Sequence, residues 1–193
     1  MLRRLYDWTM QTAGHRHALA ALAVISFAES SFFPIPPDVL LIPMILAARD
    51  RAWLIAAVCT AASVVGGGAG YAIGALLFDT VGRPIVEFYG YLDRYHEFQA
   101  RYEAWGAWIV AGAGFTPFPY KVITITSGVM NLDLGVFMVA SAVSRGARFF
   151  LLAALLWYFG PPIRRFIERY LPQLTILFFV LLLGGFVALR YLF

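Results

Sequence analysis

Prolines interrupt two apolar stretches of this chain, and no other feature limits its fold as much. The first, "FAESSFFPIPPDVLLIPM" from Phe27 to Met44, holds four prolines and two carboxylates, Glu29 and Asp38. The second, "FTPFPYKVITITSG" from Phe115 to Gly128, breaks at Pro117 and Pro119. A proline removes a backbone donor and blocks the helix behind it. A broken backbone at membrane depth survives only where protein or a watery cavity satisfies its polar groups. Each stretch is therefore expected to be a re-entrant helical hairpin, dipping in and returning to the side it came from.

Composition supplies the membrane. Hydrophobic residues make up 61% of the 193 residues and charged residues 13%, against roughly 25% charged in soluble domains. Mean hydropathy is +0.75. Apolar windows fall at 18–48, 52–78, 106–130, 134–159 and 173–192. A straight spanning helix needs roughly 20 residues. The second, fourth and fifth windows qualify unbroken; the first is cut at Pro34, Pro36 and Pro37, the third at Pro117 and Pro119. The single cysteine, Cys59, excludes an internal disulfide and a CxxC site. The net charge of +4 fits basic cytoplasmic ends and calls for no nucleic acid.

The chain also repeats. "PIPPDVLLI" at 34–42 matches "PFPYKVITI" at 117–125, so Asp38 falls on Lys121. "SVVGGGAGYAIGALLFDTVGRPI" at 63–85 matches "SAVSRGARFFLLAALLWYFGPPI" at 141–163, so Gly67 falls on Arg145 and Gly70 on Arg148. The organisation expected is a basic amphipathic segment at 1–17 and a membrane domain at 18–170, then a C-terminal transmembrane helix at 171–193. The membrane domain divides into repeat one at 18–78, an interfacial amphipathic linker at 79–105 and repeat two at 106–163. The fold class is an all-α integral membrane protein with an inverted repeat of two re-entrant hairpins, each followed by a transmembrane helix. With the N-terminus cytoplasmic, Arg3, Arg4, Arg16, Arg49, Arg51, Arg164, Arg165 and Arg169 lie inside, and Arg83, Arg94, Arg101 and Arg190 outside. That is the positive-inside bias, and it sets the halves in opposite directions, as in many transporters.

Five charges remain at membrane depth: Glu29, Asp38, Lys121, Arg145 and Arg148. Each would cost roughly 2.5–3.5 kcal/mol at a helix centre facing lipid, so pairing or a cavity is required. Three cations against two carboxylates leave one excess positive charge. An anionic guest would cancel it, and arginine forks and a lysine suit phosphate. Protonating Glu29 or Asp38 would free a cation for that guest. A purely structural pairing of the two halves is the other reading. Gly67 and Gly70 are expected to let another backbone or a ligand approach closely. "TITSG" at 124–128 could coordinate an ion or cap its hairpin. "LLLGGF" at 181–186 could face a second copy in a homo-oligomer or pack on its own chain.

The acid five residues before a Pro-x-Pro break, "GGGAGYAIG", "FTPFPYKVITITSG" and "SRGARFF", in this order, resemble the DedA membrane proteins. Their shared region is also called the VTT or SNARE-associated Golgi domain, and the likeness is to the short YqaA-like branch, over roughly residues 20–170. The resemblance implies inner-membrane proteins of bacteria with two opposed re-entrant loops. It implies lipid translocation, including undecaprenyl phosphate, driven by the proton-motive force. The essential acids of the family fall on Glu29 and Asp38, and its arginine after the second break on Lys121. A further arginine before that break is replaced here by Gly114 and Phe115. The expected partners are phospholipid or polyprenyl phosphate and protons, with no cofactor and no metal. A proton-coupled small-ion or drug transporter is the alternative. An enzyme acting on lipid phosphates is disfavoured, because His15, His17 and His96 all lie outside the apolar windows.

Overall fold

The computed structural model describes residues 18–33, 35–116, 119–160 and 162. The expectations for 1–17, Pro34, Pro117, the arginines at 164, 165 and 169 and the helix at 173–192 lie outside these residues. Every regular element among the described residues is helical.

Helix α1 spans Ala18–Ser31 and α2 spans Asp38–Ala47, with the first break between them. A short 3-10 turn, Arg49–Arg51, leads into α3, Ala52–Leu77. A π-turn at Phe78–Gly82 carries this helix into α4, Arg83–Phe88. Gly90 turns the chain at φ 67°, a conformation glycine adopts without strain. Helix α5 spans Leu92–Phe115, the second break follows, and α6 spans Tyr120–Val129. Helix α7 runs Leu134–Gly160.

Both breaks thus stand where the prolines put them. Pro43 does not break α2: it lies buried inside the helix. The boundaries expected at 78/79 and 105/106 differ. The chain stays helical from Arg49 to Phe88, and α5 runs unbroken across position 105. Charged side chains at 79–105 change the helix surface but offer nothing that stops a helix.

Contacts give the directions. Ser26 meets Cys59, Ser30 meets Ser63 and Ser31 meets Gly66, so α1 runs parallel to α3. The start of α1 shares an apolar cluster with α2 and the start of α3: Ala18, Leu22, Leu41, Ile45, Ile55 and Ala56. Hairpin one therefore opens at the Arg49 end. Tyr120 lies against Gly67, Thr124 against Gly70 and Ile125 against Gly74, so α6 also runs parallel to α3. Tyr95 donates to the Val129 carbonyl, Gln99 to that of Met130 and Tyr71 to that of Leu132. These side chains satisfy the carbonyls that a helix end leaves without partners. Hairpin two therefore opens at the Asn131 end. Helix α7 runs antiparallel to α3, with Met138 on Gly68, Arg145 on Ser63 and Gly146 on Thr60. At its far end Arg49 donates to the Trp157 carbonyl, a cation at a helix C-terminus.

Two hairpins thus enter from opposite ends of α3. At about 1.5 Å per residue, its 26 residues extend roughly 39 Å. The hairpin tips meet just past its midpoint, beside Gly66 to Gly70.

One ridge of glycines makes this possible. Gly66, Gly70 and Gly74 are four residues apart and share a face of α3. A Cβ at Gly66 would run into the Phe27 backbone, and one at Gly74 into the Ile125 carbonyl. At Gly70 it would meet both Thr124 and the Ser30 carbonyl. From α6, a Cβ at Gly128 would run into the Tyr71 carbonyl. Gly67, expected to be a close-approach position, is not one: a Cβ there meets Tyr120, Thr124 and Phe137 at an ordinary 3.5 Å. It lies one residue, about 100°, around the helix from the ridge.

Candidate functional site

Where the tips meet, α7 presents Arg145 and Arg148, three residues apart on one helix face. Each takes a different acid. Arg145 Nη2 donates to Glu29 Oε2 at 2.7 Å, and Arg148 Nη2 to Asp38 Oδ2 at 2.5 Å. Glu29 comes from the last turn of α1 and Asp38 from the first residue of α2, so both acids belong to hairpin one. A carboxylate at a helix start is favoured by the backbone dipole.

The Glu29 pair is closed on all sides. Arg145 Nε donates to Ser63 Oγ at 2.6 Å, Ser63 and Ser30 hydroxyls lie 2.7 Å apart, and Ser30 donates to Glu29 Oε2 at 3.2 Å. With Ser63 donating to Ser30, the four side chains form one hydrogen-bonded ring that ends on the carboxylate from both directions. The guanidinium lies between two aromatic faces, 4.8 Å from the Tyr120 ring centre and 4.7 Å from that of Phe149, within cation–π range. The Arg145 side chain is 1% exposed.

The Asp38 pair is looser. Its side chains are 22% and 21% exposed. Asp38 Oδ1 is buried with no hydrogen-bond partner among the described residues. Arg148 Nη1 reaches the Thr116 carbonyl at 3.1 Å, the residue that ends α5 at the second break. Arg148 thus holds the acid of break one and the backbone of break two in one fork.

Lys121 joins neither pair. It stands half-buried in the first turn of α6 with no ion pair among the described residues. The expectation that the acids would face all three cations is corrected here: hairpin one pairs with α7, and the lysine of hairpin two is left over. Gly114, where the resembled family carries an arginine, has no room for one; even a Cβ would run into Ser144.

The sequence reading missed the buried hydroxyls. Ser26, Ser30, Ser31, Ser63, Thr124, Ser127, Ser141 and Ser144 are all buried. Ser26 and Ser30, four apart in an apolar helix, were the available signal. Thr124, in the "TITSG" stretch, neither holds an ion nor caps its own hairpin. It donates across to the Ser30 carbonyl at 3.0 Å. No cluster of three potential metal ligands occurs among the described residues.

Two relatives cover most of the chain. An uncharacterized protein of Haemophilus influenzae is 44% identical over 151 residues, 78% of each chain. An uncharacterized protein of Histophilus somni, named as a homolog of HI0703, is 38% identical over 156 residues, 81% of each chain. The chain belongs to their family. It matches no family model and no solved structure.

Proposed function

We propose that this chain is an integral membrane lipid transporter. It acts as a flippase or scramblase for an anionic phospholipid or a polyprenyl phosphate such as undecaprenyl phosphate, coupled to protons through Glu29 and Asp38. The observation that carries the reading is the charge arrangement at the meeting tips. Two acids and two arginines neutralise one another, and the excess positive charge rests on Lys121, beside the second break.

Several features support the membrane. The helices Arg49–Phe88 and Leu134–Gly160 are long and apolar enough to span. Their outward faces carry exposed Val65, Ile73, Leu76, Val139, Val143 and Leu151, more apolar surface than a soluble monomer tolerates. The 39 Å reach of α3 matches a bilayer core of ~30 Å plus part of its interfaces. The opposed directions of the hairpins support an inverted repeat, and with it the DedA resemblance.

A phosphate headgroup supplies the negative charge that Lys121 lacks. Protonation of Asp38 would release the Arg148 fork to a second phosphate oxygen, which couples protons to lipid. Reconstitution in liposomes with labelled phospholipid and labelled polyprenyl phosphate, with and without a pH gradient, tests this. Faster crossing than in empty vesicles is expected. No acceleration of either lipid, with an ion flux appearing instead, would replace the reading by a small-ion transporter.

A further inference from the structure

The two ion pairs share one helix face yet are built differently, and the difference assigns them different tasks. Arg145 has a fixed setting. Its Nε and Nη2 are both used inside the ring of Ser63, Ser30 and Glu29, and aromatic rings cover it. A guest would have to dismantle that ring to reach it. Arg148 has no such enclosure. It rests near one ring, Phe149, at 5.9 Å. It grips Asp38 through one oxygen and leaves the other buried and unpartnered, an arrangement that is costly to keep. Its second arm holds only the Thr116 carbonyl, at an exposed position.

We infer that Arg148 is an exchangeable latch between the two hairpin tips. An anionic phosphate group opens it by taking the guanidinium fork from Asp38, while the Arg145–Glu29 ring stays closed as the fixed pivot. Among the described residues, Asp38 and the Thr116 carbonyl are the only groups Arg148 holds by hydrogen bonds. Both lie on breaks, so surrendering the fork unties break one from break two. No helix needs to unfold. The remaining ties between hairpins, such as Thr124 to Ser30, sit deeper along α3 and act as the hinge. A phosphate oxygen pair matches the planar fork as well as a carboxylate does. This deepens the transport reading above and uses the same site. The latch itself is read by distance, not by transport.

The test places spin labels at two exposed tip positions, Ile35→Cys and Phe115→Cys, on a Cys59→Ala background of the full chain. Inter-label distances are measured in phosphatidylcholine vesicles, in the same vesicles with inorganic phosphate, and in vesicles containing phosphatidylglycerol. A longer-distance population is expected with phosphatidylglycerol; its appearance with phosphate alone would assign the latch to the free anion. Arg148→Gln and Asp38→Asn should each show the longer population in phosphatidylcholine alone. Two variants guard against one that fails to fold. An unchanged distribution in either folded variant, or in every vesicle composition, overturns the latch. If the tips separate but no lipid crosses, the latch stands and the transport reading fails. If lipid crosses with the tips fixed, the reverse holds.

Discussion

Thr124 donates a hydrogen bond to the Ser30 carbonyl at 3.0 Å, directly over Gly70. These two residues come from hairpins that enter from opposite ends, and the glycine beneath them is the only side chain size that lets both reach α3. The site depends on this junction. It sets Glu29, one residue before Ser30, and Asp38, just after the first break, at the level of Arg145 and Arg148.

The glycine ridge should therefore tolerate no side chain, while its neighbour should. Alanine at Gly66, Gly74 or Gly128 forces a Cβ into backbone that cannot yield. Each is expected to lose about 1–3 kcal/mol, the range for overpacking. Gly67→Ala meets only ordinary contacts and gains up to about 1 kcal/mol from helix propensity. Thermal unfolding of the four variants in detergent checks the contrast. Equal loss at Gly67 and Gly66 would remove the ridge.

Glu29→Gln leaves the Arg145 guanidinium buried without its counter-charge. Breaking one side of a buried pair costs about 3–5 kcal/mol. Replacing both partners, Glu29→Gln with Arg145→Met, should recover part of that, because no lone charge remains. The midpoints of the single and double variants measure the difference. A double variant less stable than the single would show that the ring contributes more than pairing.

How far this arrangement could be read from sequence differs by residue. Pro36, Pro37 and Pro119 mark both breaks, because a missing donor and a steric clash act locally. The five charges in apolar windows were also legible, since their burial cost holds wherever they face. Their partners were not: pairing depends on which face α7 turns toward hairpin one, and Lys121 is left out for that reason. Gly67 was chosen over Gly66 because a run of glycines does not reveal which member faces a neighbour. The unbroken course of α5 through position 105 was hidden by charges that alter a helix surface without ending it.

Lys121 should matter to function and little to stability. It makes no ion pair among the described residues, so Lys121→Gln should leave the unfolding midpoint within error. If its ammonium meets a lipid phosphate, the lost charged hydrogen bond is worth about 1.5–3 kcal/mol. That is roughly a 10- to 150-fold fall in lipid transport rate at limiting lipid. Lys121→Arg keeps the charge and should retain most of the rate. Full transport by the glutamine variant would exclude Lys121 from headgroup binding.

The opposed hairpins also fix which ends of the molecule face which side of the membrane. Arg49 sits over the C-terminal end of α7, so the turn at Asp50 and the end of α7 share one face. The Gly90 turn follows the other end of α3, past the Asn131 turn. Positive residues favour the cytoplasm for the Arg49 end. Single cysteines at Asp50 and Gly90, each on a Cys59→Ala background, should react with a membrane-impermeant thiol reagent from opposite sides. Gly90→Cys should label in intact cells, and Asp50→Cys only after the inner face is exposed. The Gly90 site is open, with nothing within 4 Å of an added Cβ, so poor labelling there cannot be put down to burial. Labelling of both from one side would contradict a spanning α3 and remove the basis for two hairpins that dip from opposite faces.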